Sequence, residues 1–219
     1  MPLPAEPFHE LGPHAEVDAD VILGYRYPGD SQPTRIGDHA IIRSGSILYA
    51  NTTIGHRFQC GHQVLIRGEV TIGDRCVVHH RCTLEGHIKI GRGVKIMAHV
   101  YLPSRTVIGD LVFIGPGTTF LNAKYPMRQD GVQGATIEDG VCIGGGVTIC
   151  PGVTIGQGSF IGAGSLVNKD VPPNTLALGV PIRFQPLPAS LAGGNLPELL
   201  LPQTDLFGAH TDPTWQSEH

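Results

Sequence analysis

The chain has 219 residues, with 30 Gly, 18 Pro, 41% hydrophobic, 6% aromatic and 16% charged residues and a formal net charge of −4. Gly and Pro at this density destabilise helix interiors, which excludes an all-helical protein, and ordinary apolar content at low net charge argues against a mainly disordered chain. The weak negative charge gives no polybasic footprint for nucleic acid, and no run of eighteen apolar residues offers a membrane helix.

Residues 1–14 read as a lead-in. Their opening, MPLPAEPFHELG, has neither the basic stretch nor the apolar core of a secretory signal. The five cysteines (Cys60, Cys76, Cys82, Cys142, Cys150) are odd in number and form no C-x-x-C pair. That fits neither a disulfide framework nor a zinc ribbon, so reduced thiols in a cytoplasmic protein are expected. From residue 15 a six-residue beat begins, with hexads starting at Val17 and Leu23. Seven extra residues around Tyr27–Arg35 interrupt it. Fifteen hexads then run without a slip from Ile36 through Ile42, Leu48, Ile54 and Cys60 to Phe120. Eleven extra residues leave the repeat within Leu121–Thr136, and six further hexads run from Ile137 to Val167. After residue 184 the beat is lost. Residues 185–219 read as a C-terminal cap or tail with a short helix near Leu196–Leu201.

The hexad has a direct physical meaning. Position i is apolar, and i+4 is small or β-branched in 19 of 21 hexads, Phe58 and Lys124 being the exceptions. The i+4 residue and the next i lie two apart, so both point to one side of an extended segment. All 21 glycines within these hexads stand at i+1, i+2 or i+3, where the chain must turn. A short strand and a tight corner, repeated, coil the chain around a shared apolar bore. No hexad is stable alone, so the array is quasi-one-dimensional.

This pattern resembles the hexapeptide-repeat family, [LIV]-[GAED]-x-x-[STAV]-x, over about residues 15–188, with the coil itself expected over 15–184. The resemblance implies an all-β fold, a left-handed parallel β-helix of about eight coils with three hexads per coil. It further implies acetyl-CoA as co-substrate and a homotrimer. FIGPGTTFLNAKYP (113–126) and KIMAHVYLPSRTVIGD (95–110) resemble the loop entry and preceding rung of N-acetyltransferases that modify nucleotide-linked aminosugars in glycan synthesis. IGAGSLVNKDVPPNTLALGVPIRF (161–184) resembles the family's C-terminal cofactor-binding signature. At His99 this chain departs from many of those relatives, which carry Asn. In the family the loop at 121–136 reaches toward a neighbouring subunit.

Hexads eighteen apart share a face. The corners after Ile42, Cys60, Val78, Ile96, Ile114, Ile143 and Ile161 therefore stack, provided that the loop skips no face. Read upward, this corner passes from His62, His79, His80 and His99 into Gly115, Gly144–Gly146 and Gly162–Gly164. Bare amides can admit a pantetheine arm and donate to an oxyanion, and a histidine can take a proton from an attacking amine. The candidate catalytic residues are His99, His80 and Asn122, with His99 preferred because it lies nearer the loop. Gly145, Gly146, Ala163, Lys169 and Arg183 are the candidate cofactor-binding residues, the two cations suiting phosphates. No metal site is expected. The competing readings are an O-acetyltransferase or antibiotic acetyltransferase of the same fold, a γ-type carbonic anhydrase-like metalloprotein and a non-catalytic scaffold. The anhydrase's H-x-x-x-x-H spacing is absent from the repeats.

Overall fold

The computed structural model describes residues 8–125 and 131–193. Among them are 26 short strands and one 3-10 turn, Ala189–Leu191, and no helix is long and apolar enough to cross a membrane. The strands form three sheets of eight, ten and eight members. These are the three faces of a left-handed parallel β-helix. The first face holds Thr34–Ile36 and Thr53–Ile54, the second Ile41–Ile42 and Gln59–Cys60, the third Ile47–Tyr49 and Leu65–Ile66. Pairing runs at a spacing of eighteen, as in Ile42↔Cys60 and Leu48↔Ile66. The loop skips no face, because Ile108↔Ile137, Ile114↔Ile143 and Phe120↔Ile149 continue all three columns.

The helix begins inside residues 1–14, earlier than the sequence reading places it. His9–Leu11 pairs with Thr34–Ile36. The hexad that starts at Leu11 carries the ordinary pattern, with Ala15 at i+4 packed against the core. At the upper end Thr175–Leu178 extends the second face, and Arg183–Pro186 closes it as an antiparallel strand. The expected helix at Leu196–Leu201, the tail beyond 193 and residues 126–130 of the loop lie outside the described residues.

Burial follows the hexad. Ile42, Leu48, Ile66, Leu84, Ile114 and Ile143 are fully buried, and so is Phe58, one of the two i+4 exceptions. Each such aliphatic side chain contributes ~1.5–3 kcal/mol against the cost of ordering the chain. Cys60, Cys76 and Cys82 also face the bore, and burial raises their thiol pKa values to about 11, about 12 and about 11.

The corners show what the chain does where glycine is missing. The third corner residue adopts a positive φ even when it bears a side chain, as at Arg57 (57°), Arg75 (57°) and His99 (62°). Such a conformation costs an L-residue roughly 1–2 kcal/mol. At the corner between the first and second faces a second device recurs. The middle N–H donates to a side chain one coil above: His56 to Asp74 Oδ1 at 2.8 Å, Arg92 to Asp110 at 2.9 Å, Asp110 to Asp139 at 2.7 Å.

The three outer surfaces differ in chemistry. The first face presents Arg35, Thr53, Thr71 and Lys89, while the third presents Ile47, Leu65 and Tyr101. On the second face Val77 and its neighbours Gln59 and Lys95 are buried despite pointing outward, and burial lowers the Lys95 pKa.

Candidate active site

The corner between the second and third faces is a continuous stack. Backbone bonds climb it in order: Gln63 N–H to Ser44, Arg81 to His62, His99 to His80, Gly117 to Ala98, Gly146 to Pro116 and Gly164 to Gly145, all at 2.8–3.0 Å. Its lower half encloses a pocket of about 470 Å³ lined by Ser44, His62, Gln63, His80, Arg81 and His99. His62 and His80 stack with ring centroids 5.6 Å apart, and His79 meets His80 edge-on. Ser44 Oγ lies 2.7 Å from His62 Nδ1, and Arg81 Nε donates to Gln63 Oε1 at 2.8 Å.

The two candidate bases are not equivalent. The His62 N–H can only donate, and it reaches His80 Nδ1 at 3.2 Å. Neutral His80 therefore keeps its lone pair at Nδ1 and its proton at Nε2. Burial, then the charges of His62, Arg81 and His99, hold its pKa below the usual imidazole value. The unfolded chain thus takes up this proton first, and His80 costs stability as pH falls from about 6.5 through its folded pKa. His99 is exposed, and its ring has no hydrogen-bond partner among the described residues.

Above His80 the stapling side chain disappears. His62 N–H has His80 Nδ1, but the residues that could staple the amides above are Ala98, Pro116, Gly145 and Ala163, none with an acceptor side chain. The N–H groups of Ala98, Gly145 and Ala163 consequently donate to no group among the described residues. The stack is also tight. A Cβ on Gly115 would lie 2.5 Å from the carbonyl carbon of Gly144, so that position admits only glycine without a shift.

Gly145, Gly146 and Ala163 thus share one corner with His80 and His99. Arg183 stands at its top, paired with Leu178, which lies directly over Gly162. Two candidates fall elsewhere. Lys169 occupies the corner between the third and first faces, its ammonium 4.5 Å over the Phe184 ring. Asn122 follows Thr119–Phe120 on that same corner, and its carbonyl accepts Gln133 N–H at 3.1 Å. The third face separates both from His99 within one chain. Counting by eighteen assigns them to that corner from sequence alone, and it also assigns Ser44, Gln63 and Arg81 to the pocket. Among the described residues no three His, Cys, Asp or Glu side chains converge as a metal site.

Known proteins match this architecture. The family model described as bacterial transferase hexapeptide (six repeats) matches residues 87–122 and 134–169. A candidate acetyltransferase of solved structure from Bacillus cereus is 26% identical over 78% of this chain and 87% of its own, with a TM-score of 0.53. A hexapeptide-repeat-containing acetyltransferase from Vibrio cholerae, solved with acetyl coenzyme A, is 30% identical over 61% of this chain and 70% of its own, with a TM-score of 0.42. A UDP-N-acetylglucosamine acyltransferase from Bacteroides fragilis is 19% identical over 82% of this chain and 71% of its own. Its TM-score of 0.67 speaks for the fold alone. No curated protein matches the chain.

Proposed function

Because the chain belongs to the hexapeptide-repeat acyltransferase family, we propose that it transfers an acetyl group from acetyl-CoA to an amine of a nucleotide-linked aminosugar. The observation that carries this reading is the juxtaposition on one corner of a histidine pocket with three backbone N–H groups that have no acceptor among the described residues. An acyl transfer needs both. The attacking amine must lose a proton, and the thioester carbonyl must gain negative charge as the C–N bond forms and before the C–S bond breaks.

His99 is the base in this reading. It sits at the pocket rim with an imidazole that has no hydrogen-bond partner among the described residues, whereas the Nδ1 lone pair of His80 is occupied by His62 N–H. His80 instead holds the backbone beneath it. The Ala98 N–H, on the same coil as His99, faces the developing oxyanion. Those of Gly145 and Ala163, one and two coils above Pro116, receive the amide carbonyls of the pantetheine arm. In this reading Arg183 pairs with the cofactor phosphates. The departing thiolate takes up a proton, and the product is an acetamido sugar.

Asn122 stands at the opposite edge of the third face, so in this reading its contribution goes to the pocket of a neighbouring subunit. The loop motif LNAKYP supports an aminosugar acceptor. Incubation of the protein with acetyl-CoA and a panel of nucleotide-linked aminosugars, with free thiol and product mass as readouts, tests the assignment. Acetylation of the amine in at least one member is expected. Thiol release with O-acetyl or antibiotic acceptors only would replace this acceptor class.

A further inference from the structure

The seven extra residues between the hexads at Leu23 and Ile36 are pinned in place. Asn51 Nδ2 donates to Asp30 Oδ1 at 3.0 Å, and Asn51 Oδ1 accepts Gln32 N–H at 2.9 Å. The Asn51 N–H donates to the Gln32 carbonyl at 2.9 Å. Asn51 holds a φ of 57°, a conformation that asparagine tolerates better than most residues. A loop with this many fixed bonds is a wall, and it bounds a groove of about 420 Å³ on the first face.

The groove's floor is the outward row Arg35, Thr53, Thr71 and Lys89, in register on four successive coils. At ~4.8 Å per coil the floor is about 14 Å long. Glu69 and His87 edge it from the adjoining corner. Arg35 is already engaged by Glu10 at 3.0 Å and Gln32 at 3.2 Å. The hydroxyls of Thr53 and Thr71, the Glu69 carboxylate, the His87 ring and the Lys89 ammonium make no hydrogen bond among the described residues.

This is a mixed set of donors and acceptors along a trough. Sugar hydroxyls both donate and accept, so they match it. A phosphate does not, because Glu69 opposes it and Arg35 is spoken for by Glu10.

We propose that this groove is a second carbohydrate site, distinct from the histidine pocket, that holds a hydroxyl-rich glycan against the first face. The proposal does not depend on the acetyl-transfer reading. Saturation-transfer NMR on the full chain tests it, with maltotriose, chitotriose and inorganic phosphate as probes. Saturation of at least one trisaccharide is expected. Thr71→Tyr, which fills the trough from an outward strand position that favours aromatics, should abolish the signal. Glu69→Ala should weaken it, and His99→Ala should leave it unchanged. The proposal is overturned if neither trisaccharide is saturated, if the signal survives Thr71→Tyr, if His99→Ala removes it, or if phosphate displaces the sugar.

Discussion

The bare amide beside His99 can be removed without redesigning the corner. Proline lacks the N–H and fixes φ near −65°. The middle corner position already accepts it, since Pro13, Pro116 and Pro151 all occupy that place in the hexad. Cys150 precedes Pro151, so a residue with a side chain is tolerated before it, as Met97 would have to be. Ala98→Pro therefore deletes one donor and little else. If the Ala98 N–H stabilises the oxyanion, its loss should lower kcat by about 10²–10³, or ~2.7–4 kcal/mol of transition-state stabilisation, with KM nearly unchanged. Gly145→Pro and Ala163→Pro remove binding contacts and should mainly raise KM, by roughly tenfold each for a lost hydrogen bond of ~1.4 kcal/mol. Ala98→Ser keeps the N–H and should stay active. The assay is steady-state thiol release, with a thermal melt to show that each variant is folded. If Ala98→Pro melts like the parent and retains kcat within a few-fold, the oxyanion role of this amide is wrong.

His99→Ala should reduce kcat/KM by about 10²–10⁴, whereas His80→Asn, which keeps an acceptor for His62 N–H, should cost far less; the reverse order in turnover measurements would move the base to His80. The buried thiols make the fold alkali-sensitive, because folded pKa values of about 11 to 12 stand above the unfolded value of 9.0. Their stabilisation is complete below pH 9 and falls by ~1.4 kcal/mol per thiol for each pH unit above it, until the folded pKa is reached. Melting midpoints across that range should decline less steeply in Cys76→Val than in the parent. Asn122 and His99 lie on different corners of one chain, so mixing inactive Asn122→Ala and His99→Ala proteins after subunit exchange should restore part of the turnover; no recovery from two folded, exchanging variants would confine Asn122 to its own chain.

The column from Ile42 to Ile161 was legible in the sequence because a narrow bore enforces one side-chain size at one phase. That phase survives an eleven-residue insertion. The first coil was harder to see, since Leu11, Val17 and Leu23 make a run of only three hexads before the seven-residue insertion. The amide donors depend on a contact between coils, so no single hexad reveals them. They follow from asking which middle corner residue bears an acceptor: Asp74 and Asp110 do on one corner, His80 does on the other, and Ala98, Pro116, Gly145 and Ala163 do not. Lys169 was grouped with the glycines, and Asn122 with the histidines, by motif, although their phase puts them one face away. The tautomer of His80 could not be read from residue types at all, because it rests on where the His62 N–H points.

Backbone amide NMR during titration with acetyl-CoA would test the central claim most directly. The amides of Ala98, Gly145 and Ala163 should shift together and saturably, with the Thr53 and Thr71 amides unmoved. Saturable shifts confined to the first-face groove, or none at the glycine corner, would contradict the assignment of that corner as the acetyl-donor site.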